Sequence, residues 1–368
     1  MKPLTLRGVL TALVTPLTHK GIISWTALGT NLAFQQSQGV FGVVPVGTTG
    51  ESATLEWPRH ADFIRRVTGL VGQRSSLPAD KRLFVLAGTG SNSTKEALRS
   101  SVLAVGSTIQ ADGVLLVDCY YNKPSSLQLL KYYHEPTAKA VFEENPQALV
   151  VPYIIPGRTC CQLHPAHLAV LVQNCPNVRA VKEATGDLVN MELTRRMVNE
   201  VCADFSIMSG DDGLTAQMMR SDNIAASGVI SVMSNIVPRA IANMVAAYAA
   251  GDRVTGDRLN EKLKPLFNLV GITSKDRVNL SNSGYEFPIK YPNPCAIKTM
   301  MAGLGMDTGK MLPPLGPMNA DGVAQVRRAL RTVWHDSPEI LTPIETHYKV
   351  NIEERLAADS IWEELAAA

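Results

Sequence analysis

The feature that most constrains this chain is an alternation. Short, nearly continuous apolar runs recur: "GVLTALVTPL" from Gly8, "GVFGVVPVG" from Gly39, "RLFVLAGTG" from Arg82 and "GVLLVDCYY" from Gly113. The series continues with "ALVVPYIIP" from Ala148, "VRAVKEATG" from Val178, "FSIMSGDD" from Phe205 and "AASGVISVMS" from Ala225, making eight. Runs this short without polar alternation read as strands buried on both faces, which is the habit of a parallel sheet covered by helices. Between them lie stretches with apolar residues three and four apart, such as "SWTALGTNLAFQQSQ" from Ser24, "TKEALRSSVLAVGST" from Thr94 and "HPAHLAVLVQNC" from His164. These read as amphipathic helices. Eight such units within about 235 residues predict a closed (β/α)8 TIM barrel of the α/β class rather than an open doubly wound sheet. The glycines of "AGTGSNS" from Ala87 do not make a dinucleotide loop, because the third glycine is missing at the required spacing.

Residues 1–234 are therefore expected to be the barrel, and the alternation stops beyond them. Residues 235–336 read as a C-terminal helical appendage, with helices in "NIVPRAIANMVAAYAAGD", "RLNEKLKPLFNLV", "PNPCAIKTMMAGLG" and "DGVAQVRRALRTVW". A polar, turn-rich insertion interrupts it near residues 273–291, and "EERLAADSIWEELAAA" in the 337–368 tail reads as an exposed or docking helix. A chain that is 45% hydrophobic and 18% charged, with net charge +2, reads as soluble and globular and carries no footprint for nucleic acid. No run reaches the length of a membrane span. The opening "MKPLTLRGVLTALVTPLT" lacks a small-residue cleavage site and is rich in β-branched residues, so it reads as a first strand rather than a signal peptide. The six cysteines contain no CxxC pair, which argues against a structural zinc or a disulfide framework and for a reducing cytoplasm.

In such a barrel, chemistry belongs at the C-terminal strand ends. The second strand ends in Thr48, Thr49 and Glu51, the fourth in Tyr120, Tyr121 and Asn122, and the fifth in Tyr153 and Arg158. The sixth ends in Lys182 and Glu183, and the seventh in Ser209, Gly210, Asp211 and Asp212. Lys182 sits among apolar and small residues, where alternation aims it into the barrel. Desolvation lowers an amine's pKa, which suits attack on a carbonyl to form a Schiff base. The alternative is a rim lysine paired with Glu183. Tyr153, Thr49 and Tyr121 are hydroxyl carriers at nearby strand ends and could pass protons, or Tyr153 could simply cap a strand. Arg158 follows a proline and a glycine, and its planar fork suits a carboxylate. The "SGDD" acids have no histidine at ligand spacing and read as helix N-caps rather than metal ligands.

The chain resembles the pyruvate-dependent class I aldolases of the dihydrodipicolinate synthase and N-acetylneuraminate lyase superfamily from about Gly8 to Leu330. The resemblance rests on "TALVTPL", "GTTGESATL", "AGTGSNSTKEA", "YYNKPS", "PGRT", "VKEATGD", "MSGDD", "GVISV" and "YPNPCAIK", in that order. It implies that Lys182 forms an imine with pyruvate, that Tyr153 shuttles protons, and that Thr49 links Tyr153 to Tyr121, which reaches a neighbouring subunit's site. Thr48 would meet the pyruvate carboxylate, Gly210 and Ile230 would line the pocket, and Arg158 would hold the carboxylate of aspartate semialdehyde. The implied product feeds lysine and diaminopimelate synthesis, with no cofactor and no metal, in a homotetramer of tight dimers. A feedback site for lysine would use Ser52, Ala53, His60, Asn92, Glu96 and Tyr120. "GESATL" favours this branch over aldolases of sugar acids and hydroxy-keto acids. Departures from the family pattern are Ile154, where Asn is usual, Asp118-Cys119, where Thr-Pro is usual, and Trp57, where His is frequent; the first two bear on the second substrate. A barrel that binds pyruvate without catalysis is the reading from another class, against which Lys182, Tyr153, Thr49 and Tyr121 speak together.

Overall fold

Each of the eight apolar runs contributes one strand to the computed structural model, which describes residues 5–73, 82–281, 283–306 and 308–367. The strands are β1 (Gly8–Ala12), β2 (Gly42–Val44), β3 (Phe84–Gly88), β4 (Gly113–Val117), β5 (Leu149–Ile154), β6 (Ala180–Glu183), β7 (Ser206–Ser209) and β8 (Gly228–Ser231). All pairings are parallel and follow chain order, and β1 pairs with both β2 and β8, through Leu10↔Gly42 and Leu10↔Ile230, so the sheet closes on itself. Leu10, Val43, Val85, Val150, Val181 and Ile207 are fully buried, as strands covered on both faces require. Residues 1–4 of the opening run lie outside the described residues.

The connecting helices begin where side chains satisfy their free N–H groups. Ser24 accepts from Ala27 N–H ahead of Trp25–Ser37, Ser93 from Glu96 N–H ahead of Thr94–Val105, and Asp187 from Val189 and Asn190 ahead of Leu188–Asn199. Gly88 marks a close approach: a Cβ there would fall 2.4 Å from the Val46 carbonyl oxygen, so the end of β3 can pass under the β2 turn only as glycine.

Beyond β8 the helices Pro238–Ala249, Arg253–Phe267, Cys295–Gly303 and Ala320–Asp336 match the expected appendage. The polar, turn-rich insertion has a regular structure. It is an antiparallel hairpin of β9 (Ile272–Leu280) and β10 (Ser283–Tyr291), with Val278 opposite Tyr285 and Arg277 opposite Glu286. Cross-strand pairs stabilise it where little is buried, and its base is fastened by Ser274 Oγ to Asn319 Oδ1 (2.8 Å) and by Asn319 N–H to the Tyr291 hydroxyl (3.0 Å). The tail is docked, and as two short helices, Ile352–Ala357 and Asp359–Glu363, rather than one. Trp362 is buried against Gly303, where a Cβ would meet the indole at 2.2 Å. Arg327 and Arg331 donate to the Leu356 carbonyl, and Arg355 to those of Ala302 and Gly303. Among the described residues no helix is long and apolar enough to cross a membrane.

Candidate active site

Parallel register sets Tyr153 of β5 beside Lys182 of β6, with the lysine Nζ 4.1 Å from the centre of the tyrosine ring. Lys182 is 5% exposed, and burial lowers its pKa to about 7, an effect that Arg158 reinforces and Asp212 opposes. The rim pair with Glu183 does not form. Successive residues of a strand point to opposite faces, and the Glu183 carboxylate instead accepts from Thr185 N–H at 2.8 Å. Its own pKa is pushed up to about 7 by burial. Gly210 leaves room for the lysine stem, since a Cβ there would lie 2.7 Å from that of Ala184 and 3.1 Å from Lys182 Cε. Ile230 is fully buried in β8.

Tyr153 is buried, and its pKa is pushed up to about 12 by burial, with Arg158 and a hydrogen bond to Thr48 pulling the other way. It therefore keeps its proton across the physiological range. The expected partner of Tyr153 is Thr49, whereas the hydroxyl that acts on Tyr153 is that of Thr48. Thr49 is buried and accepts from Asn293 Nδ2 at 2.9 Å. The turn that presents both threonines bonds Gly50 and Ser52 N–H to the Gly47 carbonyl. Its left-handed positions are Val46 (φ 50°) and Glu51 (φ 59°), not the glycines. A β-branched residue in that region stores strain of about 1–3 kcal/mol, the kind of cost that clusters at functional sites.

Of these groups Thr48 and Tyr153 border a cavity of about 350 Å³ lined also by Gly47, Glu51, Ser52, Ala53, Tyr120 and Arg158, and by Pro292, Asn293, Pro314 and Leu315 from the appendage, while Lys182, Thr49, Gly210 and Ile230 lie behind its wall rather than on it. Arg158, on the short turn Pro156–Thr159, donates to the Asn293 carbonyl at 3.4 Å. Tyr121 does not enter this cavity in its own chain: its side chain is 83% exposed, and its N–H, with that of Tyr120, is held by Asn92 Oδ1. Ser52 Oγ lies 3.1 Å from Nε2 of buried His60, whose pKa burial lowers to about 4, and the His60 ring packs against Trp57. Glu96 accepts from Ser91 Oγ at 2.8 Å. The six residues expected at a regulatory site thus divide, Ser52, Ala53 and Tyr120 on the cavity wall and His60, Asn92 and Glu96 among its supports.

The "SGDD" acids do not cap the helix that follows them. Asp212 accepts from Ser231 Oγ and from the N–H groups of Val232 and Met233, so it caps the turn after β8 and ties the ends of β7 and β8 together. The two departures that bear on the second substrate are absorbed behind the cavity, while Trp57 is partly exposed. Ile154 has the opposite parity to Tyr153 and is buried on the other side of the sheet. Asp118 is fully buried between His134 (2.7 Å) and Leu163 N–H (3.1 Å), and the Cys119 carbonyl accepts from Cys161 Sγ. Asn293 and Lys298 are the neighbours that single-chain pattern reading misses, and it gives Glu51, at the end of the second strand, no role. The available signal was a lysine inside the apolar run "PCAIKTMM".

A closed (β/α)8 barrel with a buried lysine at the end of its sixth strand, beneath a tyrosine, defines the class of barrels suited to imine chemistry on a carbonyl substrate. The chain belongs to the dihydrodipicolinate synthetase family, whose model matches residues 5–333. It is 36% identical over 326 residues to the 4-hydroxy-tetrahydrodipicolinate synthase of Geobacter sulfurreducens, spanning 88% of this chain and 98% of that one. The fold is similar to a crystal structure of dihydrodipicolinate synthase from Aquifex aeolicus (TM-score 0.75, 28% identity, 91% of this chain and 99% of that one). It is also similar to the enzyme of Cyanidioschyzon merolae with lysine bound (TM-score 0.74, 28% identity, 89% and 98%).

Proposed function

We propose that this chain condenses pyruvate with L-aspartate 4-semialdehyde to give 4-hydroxy-tetrahydrodipicolinate, a step towards diaminopimelate and lysine. The observation that carries the reading is Lys182, an amine with a pKa near 7 packed on the ring of a protonated tyrosine. Neutral Lys182 attacks the ketone carbon of pyruvate, Tyr153 protonates the departing oxygen, and water leaves a protonated imine. That imine is an electron sink, so the methyl group loses a proton and the resulting enamine carbon bonds to the aldehyde carbon. The amine of the second substrate then displaces Lys182 from the imine carbon and closes the ring. Covalent chemistry on the lysine supplies what a cofactor would otherwise provide.

In this reading Thr48, not Thr49, continues the proton relay from Tyr153, leaving the Thr49 hydroxyl proton and the turn's backbone to meet the pyruvate carboxylate. Arg158 takes the carboxylate of the second substrate in a two-pronged contact. Tyr121 completes the relay in a neighbouring copy, which its exposure permits and which calls for a tight dimer, with two dimers in a homotetramer. The surface around Ser52, Ala53, His60, Asn92, Glu96 and Tyr120 takes free lysine as a feedback inhibitor. Residues 235–336 act with the barrel as one working unit, and the cysteine pattern supports a reducing, cytoplasmic setting.

Borohydride reduction with pyruvate tests the imine: mass spectrometry should find the adduct on Lys182, and no adduct would remove the whole reading. Rates with aspartate semialdehyde against a panel of sugar aldehydes test the second substrate. Preference for the sugars would reassign the chain to the sugar-acid aldolases.

A further inference from the structure

A buried ion pair stands beside the cavity, and the condensation chemistry makes no use of it. Lys298 Nζ lies 2.6 Å from Glu51 Oε1, with both side chains at most 1% exposed. The same ammonium donates to the carbonyls of Thr15 (3.1 Å) and Lys310 (2.7 Å), and the second Glu51 oxygen accepts from Leu312 N–H at 2.6 Å. Four segments meet there: the loop after β1, the threonine turn, the helix Cys295–Gly303 and the strap formed by residues 308–315. The strap is fixed at its start as well. Thr308 accepts from Leu17 N–H, and Gly309 (φ 64°) sits so close to Leu17 that a Cβ would fall 1.4 Å from its carbonyl oxygen. Three residues past Leu312, Leu315 joins Pro314 in lining the cavity, near Asn293 and Arg158.

We infer that Glu51 and Lys298 form a latch that holds residues 308–315 in place as the wall limiting the size of the second substrate. The proposal rests on the reading that pyruvate is bound through Lys182 and the threonine turn, and that the aldehyde occupies the Arg158 end. The argument is one of geometry and chemistry. A buried carboxylate and a buried ammonium must be satisfied together, and here two of the three backbone groups that satisfy them, the Lys310 carbonyl and Leu312 N–H, belong to the strap, the third being the Thr15 carbonyl. The pair is therefore fully satisfied only when the strap is down. The strap's contribution to the cavity is apolar, Pro314 and Leu315, which offers nothing to the successive hydroxyls of a sugar chain and leaves a short aldehyde room beside Arg158. Glu51 and Lys298 are positioning residues in this scheme: Glu51 borders the cavity, but its two carboxylate oxygens are taken by Lys298 Nζ and Leu312 N–H.

The test compares the wild type with Glu51→Gln and Leu315→Ala by amide hydrogen exchange, borohydride trapping and steady-state kinetics. In Glu51→Gln, exchange at Leu312 and along 308–315 should rise about tenfold or more while the barrel strands keep their protection. Trapping of pyruvate should remain complete, KM for aspartate semialdehyde should rise about tenfold, and kcat should stay within about threefold. Glu51→Ala, which keeps no acceptor for Leu312, should exceed it on both exchange and KM. Leu315→Ala leaves the ion pair intact; its exchange should be unchanged, and its kcat/KM for longer aldehydes should rise relative to the short one. Unchanged exchange in Glu51→Gln overturns the latch. Faster exchange with unchanged aldehyde KM, or no relaxation of selectivity in Leu315→Ala, overturns the wall. If the wild type traps no pyruvate, the proposed function fails, and the latch is then decided by exchange alone.

Discussion

Two buried lysines, one at the mouth of the barrel and one in the appendage, carry opposite designs. Lys182 is 5% exposed and Lys298 2%, and burial depresses the pKa of both. Lys298 has a carboxylate at 2.6 Å and two backbone carbonyls, which offset the cost of keeping it charged. Lys182 has an aromatic face and, in Asp212, a carboxylate already engaged with Ser231, Val232 and Met233. The same residue type in similar burial is thus a structural cation in one place and a poised nucleophile in the other. The difference lies in what the neighbours' oxygen atoms are already doing.

The sharpest way to break this contrast is to remove each amine in turn. Lys182→Met should lower kcat by about five orders of magnitude, as loss of a covalent nucleophile does, while thermal unfolding shows stability held or raised. Its effect on stability should depend on pH. A folded pKa near 7, below the unfolded value of about 10.4, means that the unfolded chain binds the extra proton between those limits. Wild-type stability therefore rises with pH across that window, and the variant should lose this component of the slope in denaturant titrations. The corresponding change at the other site, Lys298→Met, strands Glu51 and should cost about 3–5 kcal/mol in urea unfolding. A small cost there would show that Lys298 is not the paired cation described here.

Smaller effects sharpen the picture of the mouth. Tyr153→Phe should reduce kcat about 10²–10³-fold with stability little altered, measured by steady-state rates, since a positioned proton donor is worth roughly that much. Thr48→Val should reproduce part of this loss and Thr49→Val should act mainly on pyruvate KM; the reverse pattern would restore Thr49 to the relay. The smallest shift concerns pH. The Asp212 charge raises the Lys182 pKa, so Asp212→Asn should move the midpoint for imine formation to lower pH, by less than about one unit. Imine formation should rise through that midpoint as the amine loses its proton.

Much of this was legible beforehand because it depends on local pattern. The eight runs became eight strands in order, and alternation within "VRAVKEATG" was enough to turn Lys182 inward and Glu183 away. The threonine pair shows the limit of such reasoning: adjacency in "GTTG" does not say which hydroxyl faces Tyr153, since the turn's left-handed residues, Val46 and Glu51, set the direction of each side chain. The strands β9 and β10 are invisible in the polar, turn-rich insertion because both faces of the hairpin are largely exposed, so burial periodicity has nothing to report. Asp118-Cys119 and Ile154 looked like changes to the pocket, and only the packing shows them turned from it.

By itself the sequence determined the barrel, the order of its strands and the amine that would sit at the end of the sixth, because strand periodicity and apolar runs act over a few residues. Tertiary structure alone decided that Glu51 would find Lys298, 247 positions away, and that Asn293 would hold Thr49 across 244. It also decided that residues 308–315 would border the cavity. Those choices depend on desolvated charges and hydrogen bonds seeking partners in three dimensions, and no local spacing encodes who the partner will be.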